Sequence, residues 1–317
     1  MKVTVVIPAF NEERYIGACL ACLEAQTLSR DQFEVIVVDN GSTDNTLSIV
    51  GSFKGSLPLR SISMPKISVS AVRNLGASLA TGEILAFLDA DCMTSRDWLS
   101  NAIELEQSRG VWGAHYLVPA DANWISKIWF TYQAKEYEGP VSFIPSSNMF
   151  IRRADFNALK GFNESVQTSE DVEFCARAHE AGMAIVAFRS LAVVHEGIPR
   201  NLLQFYRQNR WHGEQLLRLF IQNLPSTRNF PLIAISFYTL FMFWVTVVTL
   251  IAACVLRYWI LPIYAAVLLV LPPLLLAFRK AAKSRPAIGP LAILYAVYLL
   301  ARAAALTHVA PVKSWKQ

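Results

Sequence analysis

The stretch EILAFLDADCMTS, residues 83–95, joins an apolar run to a pair of acidic residues. Residues 84–88 have the length and composition of a buried β-strand, and Asp89 and Asp91 follow directly. A carboxylate that leaves water without a partner is costly, and two carboxylates this close repel each other. The stretch therefore predicts a buried strand whose end either holds a cation or lies in an open, hydrated turn.

The sequence before this stretch alternates between strand and helix patterns. Apolar strand patterns occupy residues 3–8, 33–40 and 59–64, and the segments between them carry the apolar spacing of helices. This alternation predicts an α/β fold with a doubly wound, mostly parallel sheet. Sheets of this kind bind their ligands at the carboxyl ends of the strands.

Polar residues follow three of the predicted strands. They occupy residues 8–12, residues 39–42 and the Asp89/Asp91 pair. We expect these segments to converge at one edge of the sheet, because the carboxyl ends of parallel strands meet there. Two carboxylates that are two positions apart in an extended chain point to the same side and suit a hard divalent cation. The cation would supply the positive charge that the pair lacks.

The apolar residues are concentrated in the last third of the chain. The whole sequence is 54% apolar and only 17% charged, against about a quarter charged in soluble proteins. Residues 231–256 and 258–278 carry no charge, and each run is long enough to cross a bilayer. The pattern predicts a globular domain over residues 1–225 and a membrane domain over 226–317, with a third membrane segment at about 287–308.

The third apolar run is interrupted by Arg302 and His308. It either spans the bilayer with Arg302 snorkelling or lies in the interface, and the sequence leaves both open.

The N-terminus does not read as a signal peptide. The basic residues at 279–285 predict a cytosolic side, so the first domain is expected in the cytoplasm and the turn near Arg257 outside. The expected location is the plasma (inner) membrane, with several spans.

Two further segments mix aromatic with polar residues. Residues 200–225 read as amphipathic helices that contain arginines and aromatic residues, a composition suited to the headgroup layer. Residues 123–139 place tryptophans and isoleucines at helical spacing, which fits core packing or a face for a lipid or sugar acceptor. The net charge of +5 fits membrane anchoring as well as attraction to lipid headgroups or a diphosphate.

Four blocks together resemble family 2 glycosyltransferases of the GT-A fold. They are VIPAFNEE (residues 6–13), VIVVDNGSTDNT (35–46), AVRNLGASLATGEILAFLDADC (71–92) and GFNESVQTSEDVEFCARAHEAG (161–182). The resemblance extends over residues 3–197 and includes the order and spacing of the blocks. RQNRWHG (residues 207–213) is similar to the Q-x-x-R-W element of membrane-bound members, although Arg207 stands where glutamine is usual. This departure argues against a processive enzyme.

The resemblance implies a nucleotide-sugar donor site and a metal site. The residues implied to bind the donor are Pro8, Phe10, Glu12, Asp39, Arg73, Asp89 and Arg210, with Asp39 reading the nucleobase. Asp89, Asp91 and His195 are implied to hold Mg²⁺ or Mn²⁺ against the diphosphate. A single histidine is also often structural, and an arginine on a helix can be a surface residue, so the residues alone leave these two roles open.

The resemblance also implies the catalytic base. Asp171 matches the carboxylate that removes the proton of the acceptor hydroxyl, and Glu170 is its acidic neighbour. Acids in the first turn of a helix stabilise the helix dipole in any case, which leaves a structural alternative. Trp211 is implied to stack on the acceptor sugar, and Arg210 to clamp the diphosphate. Both residues would equally serve as interfacial anchors.

These observations predict an inverting, metal-dependent glycosyltransferase. It would move a sugar from a nucleotide-sugar, with a UDP-sugar favoured, to a lipid or lipid-linked acceptor at the cytosolic membrane face, and would not bind nucleic acid. One alternative is the catalytic subunit of a polysaccharide synthase. Another is a sugar nucleotidyltransferase. The sequence does not contain the Gly-rich, basic N-terminal loop of that class, and the apolar membrane segments also argue against it.

Overall fold

A computed structural model describes residues 2–107, 109–133, 138–166, 168–213, 230–281 and 287–307. By their contacts the described residues form two compact units. The sheet unit comprises residues 2–120 and 138–197, and the helical unit comprises residues 121–133 and 198–307. The helical unit thus includes a short segment that lies, in sequence, between two parts of the sheet unit.

The sheet unit is built on one large mixed sheet and one small one. The strands are β1 (Val3–Ala9), β2 (Phe33–Asp39), β3 (Leu59–Ser63), β4 (Ile84–Leu88), β5 (Cys92–Met93), β6 (Gly110–Gly113), β7 (Gly139–Pro140), β8 (Asn148–Arg152), β9 (Ala184–Ala187) and β10 (Val194–His195). The large sheet has the order β3-β2-β1-β4-β8-β6-β9-β7, and β5 pairs with β10. The first four strands are parallel, while β8 runs antiparallel to both its neighbours. The predicted α/β, mostly parallel sheet is confirmed.

Helices flank this sheet, and others form the second unit. Those of the sheet unit are α1 (Ile16–Glu24), α2 (Thr46–Ser52), α3 (Val69–Ser78), α4 (Trp98–Glu104), α6 (Arg153–Ala158) and α7 (Glu170–Glu180). Those of the helical unit are α5 (Trp124–Gln133), α8 (Leu202–Gly213), α9 (Phe230–Leu256), α10 (Ile260–Lys280) and α11 (Ile288–Thr307).

Burial of the central strands explains their sequences. Every residue of β2 and β4 is buried, because parallel strands covered on both faces need continuous apolar runs rather than alternation. The neighbouring strands β2, β1 and β4 point the same way, with Ala9 beside Asp39 in register. The polar segments that follow these strands therefore lie at one edge of the sheet, as the sequence predicted.

Among the described residues of the helical unit, three helices are long and apolar enough to cross a membrane, namely Ile233–Leu256, Ile260–Lys280 and Ile288–Thr307. They agree with the three membrane segments predicted from the sequence. The tryptophan-rich helix α5 packs inside the same unit, where the Trp129 ring contacts those of Phe205 and Tyr298. Ile125 is also buried there, whereas Trp124 is 45% exposed. Core packing therefore accounts for Ile125 and Trp129.

Candidate active site

The end of β2 forms a tight, hydrogen-bonded turn around Asp39. The buried Asp39 carboxylate accepts hydrogen bonds from the backbone amides of Gly41 and Ser42, each at 3.3 Å. It also accepts one from the Ser63 hydroxyl at 2.9 Å. The shorter bond falls on Oδ2, while Oδ1 accepts, from the described residues, only the Ser42 amide at 3.3 Å. Oδ1 is therefore the carboxylate oxygen with acceptor capacity left for a ligand.

The loop after β1 is held against the loop after β2. Asn11 adopts a left-handed backbone conformation (φ 56°), its amide donates to Ser42 Oγ, and its side chain accepts from the amide of Thr43. The amide of Glu12 donates to Thr46 Oγ1 at 2.8 Å. Phe10, in the same loop, lies under the Lys66 ammonium, which is 3.7 Å from the ring centroid. The predicted donor residues Phe10, Glu12 and Asp39 thus belong to adjoining loops.

The Glu12 carboxyl group lies in a negative environment. Burial, and after it the charges of Asp91 and Asp89, raise the pKa of Glu12 to about 8. Three carboxyl groups therefore concentrate negative potential at this edge of the sheet. Such potential favours a bound cation, which would lower the free energy of all three ionised groups.

Arg73 is buried and links two acidic residues that are distant in sequence. Its Nη2 donates to Asp89 Oδ1 at 2.6 Å, and its Nη1 donates to Glu170 Oε1 at 2.8 Å. The side chain is 4% exposed, and the Ser146 hydroxyl gives Glu170 a further hydrogen bond. The planar fork of donors suits this bridge, since one guanidinium can bind two separate carboxylates. The arginine therefore fixes the end of β4 relative to the start of α7.

Replacing this arginine with lysine should measure the bridge. Arg73→Lys keeps the charge but cannot donate in two diverging directions, so one charge-assisted hydrogen bond is lost. We expect the free energy of unfolding to fall by about 1.5–3 kcal/mol. It is measured by urea denaturation of the protein, with tryptophan fluorescence reporting the unfolding of the sheet unit. The matched control is Arg60→Lys, because Arg60 is 50% exposed and pairs with Glu34 at 2.8 Å. It should change stability by about 1 kcal/mol or less, and equal losses in both variants would contradict a special role for Arg73.

Asp171 stands at the start of α7, directly after Glu170. Burial, and then the neighbouring charge of Glu170, raise the pKa of Asp171 to about 7. Its Oδ1 accepts the backbone amide of Val172 at 2.8 Å. In contrast to Glu170, whose carboxylate is engaged by Arg73 and Ser146, Asp171 forms no ion pair with any described residue. Of the two acids, Asp171 is thus the better proton acceptor near neutral pH.

Asp91 and His195 are brought together by the small sheet. The pairing of β5 with β10 places His195 opposite Cys92, and His195 Nε2 lies 3.5 Å from Asp91 Oδ1. The Tyr116 ring covers the imidazole, with centroids 4.8 Å apart. His195 Nδ1 is buried and has no hydrogen-bond partner among the described residues.

The side chains of Asp91, Cys92 and His195 offer ligand atoms within 4.8 Å of one another. A carboxylate and an imidazole suit Mn²⁺, and the spacing of 3.5 Å is close to the about 3 Å between adjacent ligands of an octahedral ion. Burial raises the pKa of the Cys92 thiol well above its usual value, and a cysteine sulfur is a ligand for softer ions than Mn²⁺. One carboxylate and one imidazole therefore fit a divalent transition-metal ion such as Mn²⁺ on Asp91 and His195.

Asp89 differs from Asp91 in its surroundings. One of its carboxylate oxygens binds Arg73, and it is not among the three grouped ligand atoms. Its predicted role as a metal ligand stays a prediction, as does the nucleotide contact predicted for the buried Arg73. Pro8 lies within β1, one residue before its end. Arg210 and Trp211 lie on α8 in the helical unit, and their roles also stay predictions.

Gly197 follows this site and cannot carry a side chain in the observed backbone. A Cβ atom at residue 197 would lie 1.9 Å from Asp91 Oδ2 and 3.1 Å from His195 Cε1. The backbone therefore passes directly over the carboxylate. Sequence reasoning did not identify Gly197, Ser63 or Ser146, because each acts through a contact with a residue distant in the chain.

Comparisons with known proteins identify the family and the fold. The model of glycosyl transferase family 2 matches residues 4–160, and that of glycosyl transferase family group 2 matches residues 84–278. The chain is 28% identical over 205 residues to glycosyltransferase AglE of Haloferax volcanii, covering 62% of this chain and 67% of AglE. It is 27% identical over 225 residues to the β-monoglucosyldiacylglycerol synthase of a Nostoc species, covering 66% of this chain and 48% of the synthase. The chain thus spans about half to two thirds of the length of these relatives.

The fold also matches a solved structure, that of the mannosyltransferase PcManGT from Pyrobaculum calidifontis in complex with GDP-Man and Mn²⁺. The TM-score is 0.62 at 20% identity, covering 97% of this chain and 86% of that one. At this identity the likeness supports the GT-A fold alone. Since the family group 2 model covers more than half of the chain, the protein belongs to glycosyltransferase family 2 and is a transferase enzyme with the GT-A fold.

Proposed function

We propose that this enzyme is an inverting, metal-dependent glycosyltransferase that moves a sugar from a nucleotide-sugar to a lipid or lipid-linked acceptor at the cytosolic membrane face. The observation that carries the proposal is the pair of sites joined by Arg73. The end of β4 holds Asp89 and Asp91, and the start of α7 holds Asp171 with a raised pKa. An inverting displacement at the anomeric carbon requires two features, a site that binds the diphosphate of the donor and a general base for the acceptor hydroxyl.

The base is Asp171. In an inverting displacement, the acceptor hydroxyl attacks the anomeric carbon while one carboxylate takes up its proton. A pKa of about 7 lets Asp171 accept this proton and release it again near neutral pH. Glu170 positions the base, since Arg73 and Ser146 hold its carboxylate in place.

The donor binds at the edge of the sheet after β1, β2 and β4. Asp39 Oδ1 accepts an N–H group of the nucleobase, and the loop with Phe10 and Glu12 lines the nucleotide pocket. Mg²⁺ or Mn²⁺, held by Asp91 and His195, would neutralise negative charge on the leaving nucleoside diphosphate. The structure of PcManGT in complex with GDP-Man and Mn²⁺ supports a metal and a nucleotide-sugar here; we favour a UDP-sugar as donor.

A lipid acceptor is supported by the helical unit. Three apolar helices keep the enzyme at a membrane, where a lipid acceptor is concentrated. The Nostoc relative is named for synthesis of a glucosylated diacylglycerol. The proposal is tested by incubating the full chain in detergent with Mn²⁺, a panel of UDP- and GDP-sugars, and a membrane lipid extract. We expect consumption of one donor that needs both the metal and the lipid. Consumption that is equal without lipid would contradict a lipid acceptor.

The contacts of α8 bear on the path of the chain through the membrane. Its residues Leu202 and Phe205 pack with Leu294 of α11, and Gly213 approaches Ala305. The polar helix α8 therefore runs along α11 from about Leu294 to Ala305. Its Arg207 is exposed, and a charged face of this kind is costly inside hydrocarbon. We therefore infer that α9 and α10 span the bilayer, and that α11 lies at the interface with α8.

A topology with two spans and one with three spans place the C-terminus on opposite sides of the membrane. With two spans, a tag after Gln317 should be on the cytosolic side and protected from protease in intact cells, whereas the turn at residues 257–259 should be accessible from outside. The measurement is protease accessibility of epitope tags inserted at each position, before and after permeabilisation. A C-terminal tag that is digested in intact cells would indicate that α11 spans.

A further inference from the structure

The helical unit carries a strong excess of positive charge. Its residues 198–307 contain 11 of the 29 lysines and arginines and only one of the 24 aspartates and glutamates, Glu214, and its residues 121–133 add one of each sign, Lys127 and Asp121. The positive charges of this part of the chain thus have almost no internal partners. An excess of this sign attracts anionic groups, and a membrane surface supplies these as lipid phosphates.

Arg302 is the charged residue within α11. It lies five residues before the helix ends at Thr307, which is about 7.5 Å along the axis at 1.5 Å per residue. It therefore lies within reach of the headgroup level whether α11 spans or lies flat. A charged residue in an apolar membrane segment is costly unless it pairs or binds, and so points to a function.

The surroundings of Arg302 hold its guanidinium without neutralising it. The guanidinium carbon lies 5.1 Å from the Tyr298 ring centroid, and Tyr298 is itself fixed against Trp129. Nε is buried and donates to no described group. Within the described ranges no carboxylate lies within ion-pair distance of Arg302. The arginine is therefore positioned by aromatic packing and keeps its donors for another partner.

The last turn of α8 brings a glycine to the same place. A Cβ atom at Gly213 would lie 2.8 Å from Ala305 Cβ and 3.1 Å from Arg302 Cδ. The glycine lets the polar helix α8 approach the stem of Arg302 closely. The arginine thus sits where a polar helix meets an apolar one, which is the environment of a lipid headgroup.

We propose that Arg302, on the face of α11 that receives Gly213 of α8, binds the phosphate group of a membrane lipid. A planar guanidinium pairs with phosphate oxygens through two parallel hydrogen bonds. The ligand class is a lipid that carries a phosphate, as opposed to a neutral lipid. This site goes beyond the proposed transfer reaction, because it concerns residues of the helical unit only.

Binding of dodecyl phosphate to the full chain tests the proposal. The protein is kept in a neutral detergent, and bound probe is quantified by native mass spectrometry over a concentration series. Dodecanol has the same chain without the phosphate, and inorganic phosphate has the headgroup without the chain. We expect dodecyl phosphate to bind, dodecanol not to bind, and inorganic phosphate at equal concentration not to displace it.

Variants assign the binding to the residue. Arg302→Gln should weaken dodecyl phosphate binding by about tenfold or more, the loss expected for a charge-assisted hydrogen bond. Arg302→Lys should weaken it less and keeps the charge in case the glutamine variant does not fold. Arg257→Gln is the matched control, since it removes an arginine at the exposed α9–α10 turn and should bind as the wild type does.

Three results would overturn the proposal. The first is equal binding by the wild type and both Arg302 variants, which would leave this arginine with a structural role. The second is binding of dodecanol as tight as that of dodecyl phosphate. The third is displacement by inorganic phosphate at equal concentration, which would assign the site to free phosphate. None of these readouts needs turnover, so failure here is distinct from failure of the proposed transfer reaction.

Discussion

Asp171→Asn should reduce sugar transfer by about 10²–10⁴-fold, the usual contribution of a positioned general base. The substitution keeps the shape of the side chain but removes its ability to take up the proton of the acceptor hydroxyl. Nucleotide binding should change little, because the proposed donor site is formed by the loops after β1, β2 and β4. The measurement is single-turnover transfer, together with nucleotide binding, on the same folded preparation.

The control for this variant lies on the same helix turn. Glu173→Gln also removes an acid from the start of α7, where Glu173 pairs with Arg177 at 2.7 Å. If the acids served only the helix dipole, both variants would lose a similar and small amount of stability, about 1 kcal/mol or less, with near-normal transfer. Normal transfer by Asp171→Asn would move the base elsewhere, and Glu170 would be examined next.

The raised pKa of Asp171 predicts the pH dependence of the reaction. A general base works only when it is deprotonated, and its pKa of about 7 lies above the ordinary value of 3.8. Transfer at low acceptor concentration should therefore fall as the pH decreases below about 7, approaching tenfold per unit, and should level off above it. A profile that stays flat down to pH 5 would indicate a base with an ordinary carboxyl pKa.

Asp91→Asn should remove one ligand of the proposed metal site and so weaken the binding of Mn²⁺. Loss of a group that only hydrogen-bonds to a metal ligand typically lowers metal affinity by about 10–100-fold. Loss of a ligand itself should therefore weaken Mn²⁺ binding by at least about 100-fold. Binding is measured by electron paramagnetic resonance of free Mn²⁺, which does not need activity. His195→Ala should act in the same direction if the imidazole is the second ligand.

A nearby aspartate provides the comparison for this variant. Asp97 is exposed at the start of α4, where its Oδ1 accepts a hydrogen bond from Thr27 at 2.9 Å. Asp97→Asn should therefore bind Mn²⁺ as the wild type does. Unchanged Mn²⁺ affinity in Asp91→Asn, or full transfer by the wild type in excess chelator, would refute the assignment.

The sheet was predictable because the sequence of each central strand is itself typical of a buried strand. The buried strands β1, β2 and β4 are continuous apolar runs that end in polar residues, so their positions and their shared edge follow from the sequence. The apolar helices α9 to α11 were predictable for the same reason, since a bilayer demands a long uncharged segment. Local composition determines both kinds of element.

The connections across the site were not predictable in this way. Arg73, Asp89 and Glu170 are far apart in sequence, and nothing in the local pattern indicates that one guanidinium joins the two acids. The strands β5 and β10 are two residues each, too short for a periodic signal, although they bring His195 to Asp91. The resemblance to a family suggested His195 and Asp171 as site residues, whereas their positions in space became known only from the fold.

The placement of α5 has a consequence for how the enzyme can be made. This helix belongs to the helical unit, yet strands β8 and β9 of the sheet unit are synthesised after it. The ribosome therefore delivers Ile125 and Trp129 before their apolar partners on α8 and α11 exist. A shortened chain ending near residue 197 would leave these side chains uncovered and prone to aggregate. We therefore expect nascent molecules to be most prone to aggregation before α11 is complete.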